Sequence, residues 1–244
     1  MHTVLFELCS QSLDAAVAGQ AGGADQIELC SNLAGGGVTP NRDLTASVLD
    51  ALSIPVHILI RPRTGSFVFS TDEFDEMRRQ ICEVKRAGAS GVALGALLPN
   101  GQVDTERCRA LVELARPMAV TFHRAFDETS DLSTALESVI STGADNLLTS
   151  GGATDVLSGA ERIAALQQQA AGRIAIVAGG GLRLENVVDV ARRSGVFSLH
   201  GSLTRKDGHA PHNGSKNSLE ADVRRAVELL HALHREQQAE VPAI

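Results

Sequence analysis

The tetrapeptide Glu-Leu-Cys-Ser occurs twice within the first 31 residues, at positions 7–10 and 28–31. Each copy ends a short apolar run that is typical of a β-strand. Alternate side chains of a strand share a face, so the glutamate and the cysteine of each copy point the same way. Neighbouring strands would bring two carboxylates and two thiols together. Because a buried carboxylate is costly unless a positive or hydrogen-bonding group meets it, this repeat predicts a functional site.

The two thiols, Cys9 and Cys30, are candidate metal ligands. Adjacent strands lie about 4.8 Å apart, and soft thiolates select ions such as Cu(I). Inward side chains of adjacent barrel strands come from different layers, so we expect the two sulfurs to approach each other diagonally. Zinc is disfavoured because the candidate residues include no Cys-x-x-Cys or His-x-x-x-His pair. The alternative is that both cysteines are inert, since a buried cysteine is most often a small apolar side chain.

Glu7, Glu28 and His123 form a candidate acid–base set. Histidine titrates near neutral pH, and partial burial raises the pKa of a glutamate into a range that is useful for proton transfer. Arg61 would hold the substrate of such a reaction, and we group it with these three as the predicted catalytic residues. The alternative is a network of glutamates and arginines that only holds the barrel mouth together.

Glycine-rich segments and further arginines predict an anion site. Backbone amides of such loops bind anions, and the guanidinium fork of arginine suits phosphate or carboxylate. The predicted anion- or substrate-binding residues are Arg63, Arg124, Ser150, Gly151, Gly152, Gly179, Gly180, Gly181 and His200. The alternative is that the glycines only permit tight turns and that the arginines pair with Glu7 and Glu28.

A second repeat positions these residues. Gly-Ala-Asp or Gly-Ala-Ser stands directly before a predicted strand at 23–25, 88–90 and 143–145, and Ser-Gly at 194–195 is a weaker fourth copy. Glycine ends the preceding helix in the left-handed conformation, and the strand begins at once. The predicted strands cover residues 4–8, 26–29, 56–61, 91–94, 119–123, 146–149, 174–178 and 196–199.

Helical stretches between these strands give a strict alternation of strand and helix, which implies parallel strands with right-handed crossovers. Eight such units predict an α/β fold, a closed (β/α)8 TIM barrel in which residues 1–244 form a single domain. We expect a barrel core over about 3–202, a polar loop over 203–218 and a C-terminal helix over about 219–235. A doubly wound open sheet is the alternative. Active sites of TIM barrels lie where the strands end, which is where the candidate residues fall.

The same alternation predicts which side chains enter the barrel. With Glu7 directed inward, Phe6 and Leu8 face the helices, and the second strand turns Ile27 and Leu29 outward in the same way. Polar residues of several strands then collect inside the barrel near its mouth.

The composition bounds the class of protein. Hydrophobic residues make up 43% and charged residues 21% of the chain, which are ordinary globular values. A net charge of -7 and the absence of Trp and Tyr leave no basic or aromatic surface for nucleic acid. The N-terminus lacks a secretory signal, and no run approaches the ~18 apolar residues of a membrane helix. We therefore expect a cytoplasmic protein with free thiols, no membrane or nucleic-acid partner and no organic cofactor.

Taken together, these motifs closely resemble the CutC family of copper homeostasis proteins. The resemblance runs from about residue 5 to residue 202 and rests on segments 22–33, 36–40, 60–63, 120–127 and 148–152. It implies a cytoplasmic (β/α)8 barrel, often a homodimer, that is associated with copper tolerance. The cysteines suggested as Cu(I) ligands in the family fall on Cys9 and Cys30. The polar mouth of the family falls on Glu7, Glu28, Arg61, Arg63, His123 and Arg124.

Two functional hypotheses follow. The first is a copper homeostasis protein that binds Cu(I) at the barrel mouth through its two cysteines. The second is an enzyme that acts on a small phosphorylated or carboxylated metabolite by acid–base chemistry, because carboxylates, arginines, a histidine and glycine loops are substrate-binding groups. The resemblance does not bring an agreed reaction, so both hypotheses stay open at this point.

Overall fold

The computed structural model describes residues 4–203 and 216–239. The polar loop was predicted for residues 203–218. Residues 204–215 of that segment lie outside the described part of the chain.

Eight parallel strands form one closed barrel in which each strand pairs with its neighbours in chain order. The last strand pairs with the first, which closes the ring. The strands are β1 (Leu5–Ser10), β2 (Gln26–Leu29), β3 (Val56–Leu59), β4 (Gly91–Leu94), β5 (Ala119–Phe122), β6 (Asn146–Thr149), β7 (Ala175–Gly179) and β8 (Ser198–Gly201). This closure confirms the predicted TIM barrel and excludes the open sheet.

A helix follows each strand in the chain. The helices are α1 (Leu13–Ala21), α2 (Arg42–Ala51), α3 (Thr71–Arg86), α4 (Thr105–Ala115), α5 (Leu132–Thr142), α6 (Ala160–Ala170), α7 (Val187–Ser194) and α8 (Lys216–Ala239). Two short 3-10 helices, Leu33–Gly35 and Arg124–Glu128, lie in loops at the carboxyl ends of β2 and β5.

Side-chain caps fix where several helices begin. Ser70 shows the complete arrangement: its hydroxyl accepts from the backbone N–H of Glu73, and the Glu73 carboxylate accepts from the backbone N–H of Ser70. Such caps satisfy amides that have no partner within the helix. Ser12, Asn41, Asp104 and Asp131 cap α1, α2, α4 and α5 with one side chain each.

The Gly-Ala-Asp repeat forms the same contact in two places. Asp25 accepts from the backbone N–H of Phe6 at 2.7 Å, and Asp145 accepts from the backbone N–H of Val120 at 2.7 Å. The glycines of these two repeats have φ angles of +90° and +83°, which favour glycine. Each aspartate therefore ties the start of its own strand to the preceding strand of the barrel.

The main hydrophobic core lies between the barrel and the helices, which is where the alternation predicts it. Gly19 on α1 shows the fit: a Cβ atom there would lie 2.5 Å from Cδ2 of Leu8 and 2.9 Å from Cδ1 of Ile27. Leu8 and Ile27 therefore face α1, which confirms their predicted orientation. Phe6, Phe122 and Phe126 are the largest fully buried side chains of this core.

A separate, small apolar cluster consists of Cys9, Cys30, Leu59 and Ala93, with Leu33 packed against it. It does not merge with the main core. The two cysteines thus occupy an apolar wall of the barrel mouth.

None of the helices that the structure describes combines the length and the apolar character needed to cross a membrane.

Candidate functional site

A cavity of about 200 Å³ opens at the carboxyl ends of the strands. Nine residues predicted from the sequence line it, namely Cys9, Glu28, Cys30, Arg61, His123, Arg124, Gly180, Gly181 and His200. They come from strands on opposite sides of the barrel, so closure of the sheet is what brings them together. Apolar contacts come from Leu33, Leu59, Phe67 and Leu148.

Glu7 lies at the centre of a buried polar cluster. Its Oε1 is 2.5 Å from Nδ1 of His200, and its Oε2 accepts from Nε2 of Gln26. Nδ1 of His57 lies 3.8 Å from the same Oε2. Burial by itself would raise the pKa of Glu7, but the hydrogen bond and the charge of His200, with His57 and Gln26, outweigh burial and lower it. Glu7 is therefore an anion held between two imidazoles.

His200 carries the positive charge that balances Glu7. Burial favours the neutral ring, yet the charge of Glu28 and the hydrogen bond and charge of Glu7 raise the pKa of His200 to about 9. Because Nδ1 is turned towards Glu7, Nε2 points to the other carboxylate, 4.0 Å from Oε1 of Glu28. Burial, reinforced by Glu7 and opposed by His200, raises the pKa of Glu28 to about 7. Glu28 thus exchanges its proton near neutral pH.

The two predicted thiols meet at the same end of the cavity. Sγ of Cys9 lies 3.8 Å from Sγ of Cys30 and 3.7 Å from Oε1 of Glu28. Cys9 pairs with Glu28 in the register of β1 and β2, so Cys30, two residues beyond Glu28, approaches it diagonally. The hydrogen bond with Cys30 and burial, together with nearby carboxylates, raise the pKa of the Cys9 thiol well above its usual range. All four cysteines of the chain are free thiols.

A group suited to a metal ion includes one of these thiols. One ligand atom each from Cys9, Glu28 and His200 lies within 4.8 Å of the others. Imidazole and thiolate are both ligands of soft metal ions. The sequence did not indicate His200 as a partner of Cys9, and its place in this group becomes visible only with the pairing of β1 and β8.

Another part of the cavity wall is formed by Arg61, Phe67 and His123. The guanidinium of Arg61 lies 4.3 Å from the centre of the Phe67 ring, and the rings of Phe67 and His123 are 5.0 Å apart. Burial and the charges of Arg61 and Arg124 lower the pKa of His123 to about 3. An imidazole with this pKa is uncharged at neutral pH, which argues against the predicted role of His123 in proton transfer.

Asp127, which sequence reasoning missed, occupies the predicted anion-binding loop. Its carboxylate accepts from the backbone N–H groups of Ser150 and Gly152 and from Nε of Arg124. The backbone N–H of Gly151 donates to Thr149. The loop amides therefore bind an anion that the protein itself supplies.

The arginines do not pair with the buried glutamates. Arg63 binds Glu73 through Nε and Nη2, and Arg61 donates to backbone carbonyls. Among the described residues, the predicted site members Glu7, Arg63, Ser150, Gly151, Gly152 and Gly179 do not line the cavity. Gly180 does line it. Its φ is +104°, and an added Cβ would lie 2.8 Å from the guanidinium of Arg124, so the position favours glycine.

Sequence reasoning also left His57 without a role. It lies on β3 and shares a face with Arg61, two residues beyond the end of that strand. Its imidazole packs against Gly91, where an added Cβ would lie 2.4 Å from the ring. The alternation of β3 places His57 on the inner face, but its contact with Glu7 depends on the barrel register.

Comparisons with known proteins agree on one family. The sequence profile of the CutC family matches residues 4–205. A CutC family protein of Xanthomonas campestris pv. campestris is 44% identical over 210 residues, which cover 85% of this chain and 88% of that protein. A CutC family protein of Xylella fastidiosa is 42% identical over 235 residues, covering 92% of this chain and 88% of that protein.

A solved structure shows the same relationship. The crystal structure of a proposed copper homeostasis protein CutC from Streptococcus agalactiae superposes with a TM-score of 0.77 at 29% identity. The match covers 82% of this chain and 99% of that one.

Proposed function

This chain belongs to the CutC family, and on that premise we propose that it acts in copper homeostasis by binding Cu(I) through Cys9 and Cys30. The observation that carries the proposal is the 3.8 Å separation of the two sulfurs on the cavity wall. Two free thiols at that distance offer a soft ion two ligands without a large movement of the backbone. The name of the Streptococcus agalactiae relative supports the same role.

His200 is a third candidate ligand in this proposal. Its Nδ1 faces the Glu7 carboxylate, which fixes the ring and leaves Nε2 directed towards Glu28 and the thiols. Metal-binding histidines commonly donate their other N–H to a carboxylate in this way. Binding requires the Cys9 thiolate and a neutral His200 ring. The pKa values of both groups are raised, so Cu(I) must displace a proton from each and its affinity should increase with pH.

An anaerobic competition titration with a Cu(I) chelator tests the proposal. We expect the wild type to bind one Cu(I) tightly and the Cys9→Ser/Cys30→Ser double variant to lose that binding. Cys82→Ser, a half-buried position on α3, is the matched control and should bind as the wild type does. Equal affinity in the double variant and the wild type would exclude these cysteines as the copper site.

A second candidate function is an enzyme that acts on a small anionic metabolite. The observation that favours it is the buried guanidinium of Arg61 in the cavity wall, which has no ion pair among the described residues. Glu28 would transfer the proton, since its carboxyl lines the cavity and its pKa of about 7 supports both protonation states near neutral pH. Glu7 would act through His200, and the Gly180 and Gly181 backbone would contact the ligand.

A thermal-shift screen against small carboxylated and phosphorylated metabolites tests this function. A metabolite that stabilises the wild type should then be turned over by the wild type and bound without turnover by Glu28→Gln. Turnover that is equal in Glu28→Gln would remove Glu28 from the mechanism.

We also propose, from the family resemblance, a single-domain protein that forms a homodimer in the cytoplasm. Light scattering coupled to gel filtration would measure the oligomer. A single calorimetric transition would support one domain, and cell fractionation would test the location.

A further inference from the structure

Arg61 is a buried cation whose hydrogen-bonding capacity is only partly used. A guanidinium carries five N–H donors. Nη1 donates to the carbonyls of Gly36 and Gly37, and Nη2 donates to the carbonyl of Gly65. Nε has no acceptor among the described residues. By this count, the Nε–H and one Nη2–H have no acceptor among the described residues.

Nε and Nη2 form the edge of a guanidinium that binds carboxylates side-on, and the chain contains two direct comparisons. Arg63 uses Nε and Nη2 to bind the two carboxylate oxygens of Glu73. Arg42 uses the same pair of nitrogens to bind Glu83. In Arg61 that edge has no carboxylate among the described residues, although its side chain is far less exposed than that of Arg42.

His123 supplies another open donor on the same wall. Its Nδ1 accepts from the backbone N–H of Ala125, so in the neutral ring the proton is on Nε2. Nε2 is buried and has no acceptor among the residues that the structure describes. Arg61 and His123 are each 5% exposed, and both pack on the ring of Phe67.

Both unpartnered atoms are donors, so the partner they lack is an acceptor. A buried N–H without an acceptor costs about 1–3 kcal/mol, and more when the donor is charged. We propose that this wall of the cavity, formed by Arg61, His123 and Phe67, is a binding site for the oxoanion group, carboxylate or phosphate, of a small metabolite. A cavity of about 200 Å³ admits a ligand of a few carbon atoms.

This site uses neither of the two thiols, although it lines the same cavity. It deepens the second candidate function by naming the group through which the substrate is held, and it does not depend on copper. The anion would occupy the wall formed by the segments that follow β3 and β5, and the remainder of the ligand would extend towards Glu28 and His200 on β2 and β8.

Calorimetric titration of the full chain with inorganic phosphate and, separately, with glycolate tests the site and distinguishes the two anions. We expect one of the two to bind in a 1:1 ratio. Arg61→Lys keeps the charge but removes the fork, and we expect it to weaken that binding by about 10-fold or more, since a hydrogen bond to a charged group contributes ~1.5–3 kcal/mol. Arg42→Lys is the matched control, because it removes a fork that Glu83 already fills, and it should bind as the wild type does.

A second measurement covers the case in which Arg61→Lys does not fold. His123→Phe keeps an aromatic ring and removes the Nε2–H, so it should weaken binding several-fold. In the wild type, the 15N-detected Nε2–H resonance of His123 should shift when the bound anion is added. Absence of binding by both probes, or equal binding by the wild type and both cavity variants, would overturn the proposal.

The same variants separate this site from the copper site. Arg61→Lys should retain the Cu(I) affinity of the wild type, and Cys9→Ser/Cys30→Ser should retain the anion affinity. Loss of anion binding in the cysteine variant alone would overturn the assignment to Arg61 and His123.

Discussion

Nδ1 of His200 lies 2.5 Å from Oε1 of Glu7, although 193 positions separate the two residues in the chain. They meet because β1 and β8 close the barrel with these residues as Cα partners. The contact fixes the charge of Glu7, the orientation of the His200 ring and, through Nε2, the surroundings of Glu28.

Glu7→Gln should therefore weaken Cu(I) binding without removing a ligand. The amide cannot balance the His200 cation, so the pKa of His200 should fall and its ring should lose its fixed orientation. Outer partners of this kind contribute about 10–100-fold to metal affinity. The competition titration measures the affinity, and the His200 Cε1–H shift as a function of pH measures its pKa.

Glu83→Gln, which removes a carboxylate from the surface pair with Arg42, is the control and should leave both quantities unchanged. A Glu7→Gln protein with wild-type affinity and an unchanged His200 pKa would contradict the role assigned to Glu7.

Glu28→Gln should change the pH dependence of stability. The pKa of Glu28 is about 7 in the folded protein and near its ordinary value of 4.5 in the unfolded chain. Between these values the folded state holds a proton that the unfolded state has released, so this group makes stability fall as pH rises. Glutamine does not titrate, and the free energy of unfolding of Glu28→Gln relative to wild type should therefore increase from pH 4.5 to pH 6.5.

Urea denaturation at several pH values measures this difference. The range stops at pH 6.5 because His200 stays protonated in the folded state there. A difference that is constant over the range would show that Glu28 ionises normally in the folded protein.

Asp127→Asn should destabilise the loop after β6. The carboxylate accepts from Ser150, from Gly152 and from Arg124, and an amide group in its place must present N–H groups to some of these donors. Donors left without an acceptor cost about 1–3 kcal/mol. Urea denaturation should show that the free energy of unfolding falls by this amount. Glu113→Gln, at an exposed position on α4, should leave it unchanged.

Gly91→Ala should destabilise the barrel by displacing His57. The added Cβ would lie 2.4 Å from the imidazole, and over-packing of this kind costs ~1–3 kcal/mol. A double-mutant cycle with His57→Ala isolates the contact, because the methyl group should cost much less when the ring is absent. An equal cost in both backgrounds would show that the strain arises elsewhere.

Local patterns were sufficient to predict the elements of the fold. The period of two in strands such as β1 predicted that Phe6 and Leu8 face the helices, and β2, β4 and β6 begin and end at the predicted residues. Strand ends were less certain: the predicted third strand extended to Arg61, whereas β3 ends at Leu59. Ile60 still donates its backbone N–H to Ala93 of β4. The backbone N–H of Arg61 then donates to the Thr39 hydroxyl, and its side chain is held by loop carbonyls.

The members of the candidate site could be predicted more readily than their partners. Cys9 and Cys30 lie diagonally, as expected from alternate layers of the barrel. The partner of Glu7 could not be read from its neighbours, because it depends on the register in which the last strand meets the first. For the same reason Asp127, which fills the loop at Ser150, was not foreseen: its backbone lies in a 3-10 helix on the neighbouring unit.

The contact of Asp25 with Phe6 and the contact of Asp145 with Val120 hold two strand pairs of the barrel in the same way. The two clasps tie β1 to β2 and β5 to β6, four strands apart, with the same Gly-Ala-Asp sequence and the same 2.7 Å bond. Both clasps lie at the amino ends of their strands, whereas the cavity lies at the carboxyl ends. The barrel is therefore fastened at the end away from the cavity, so residues at the mouth can change without loosening these two strand pairs.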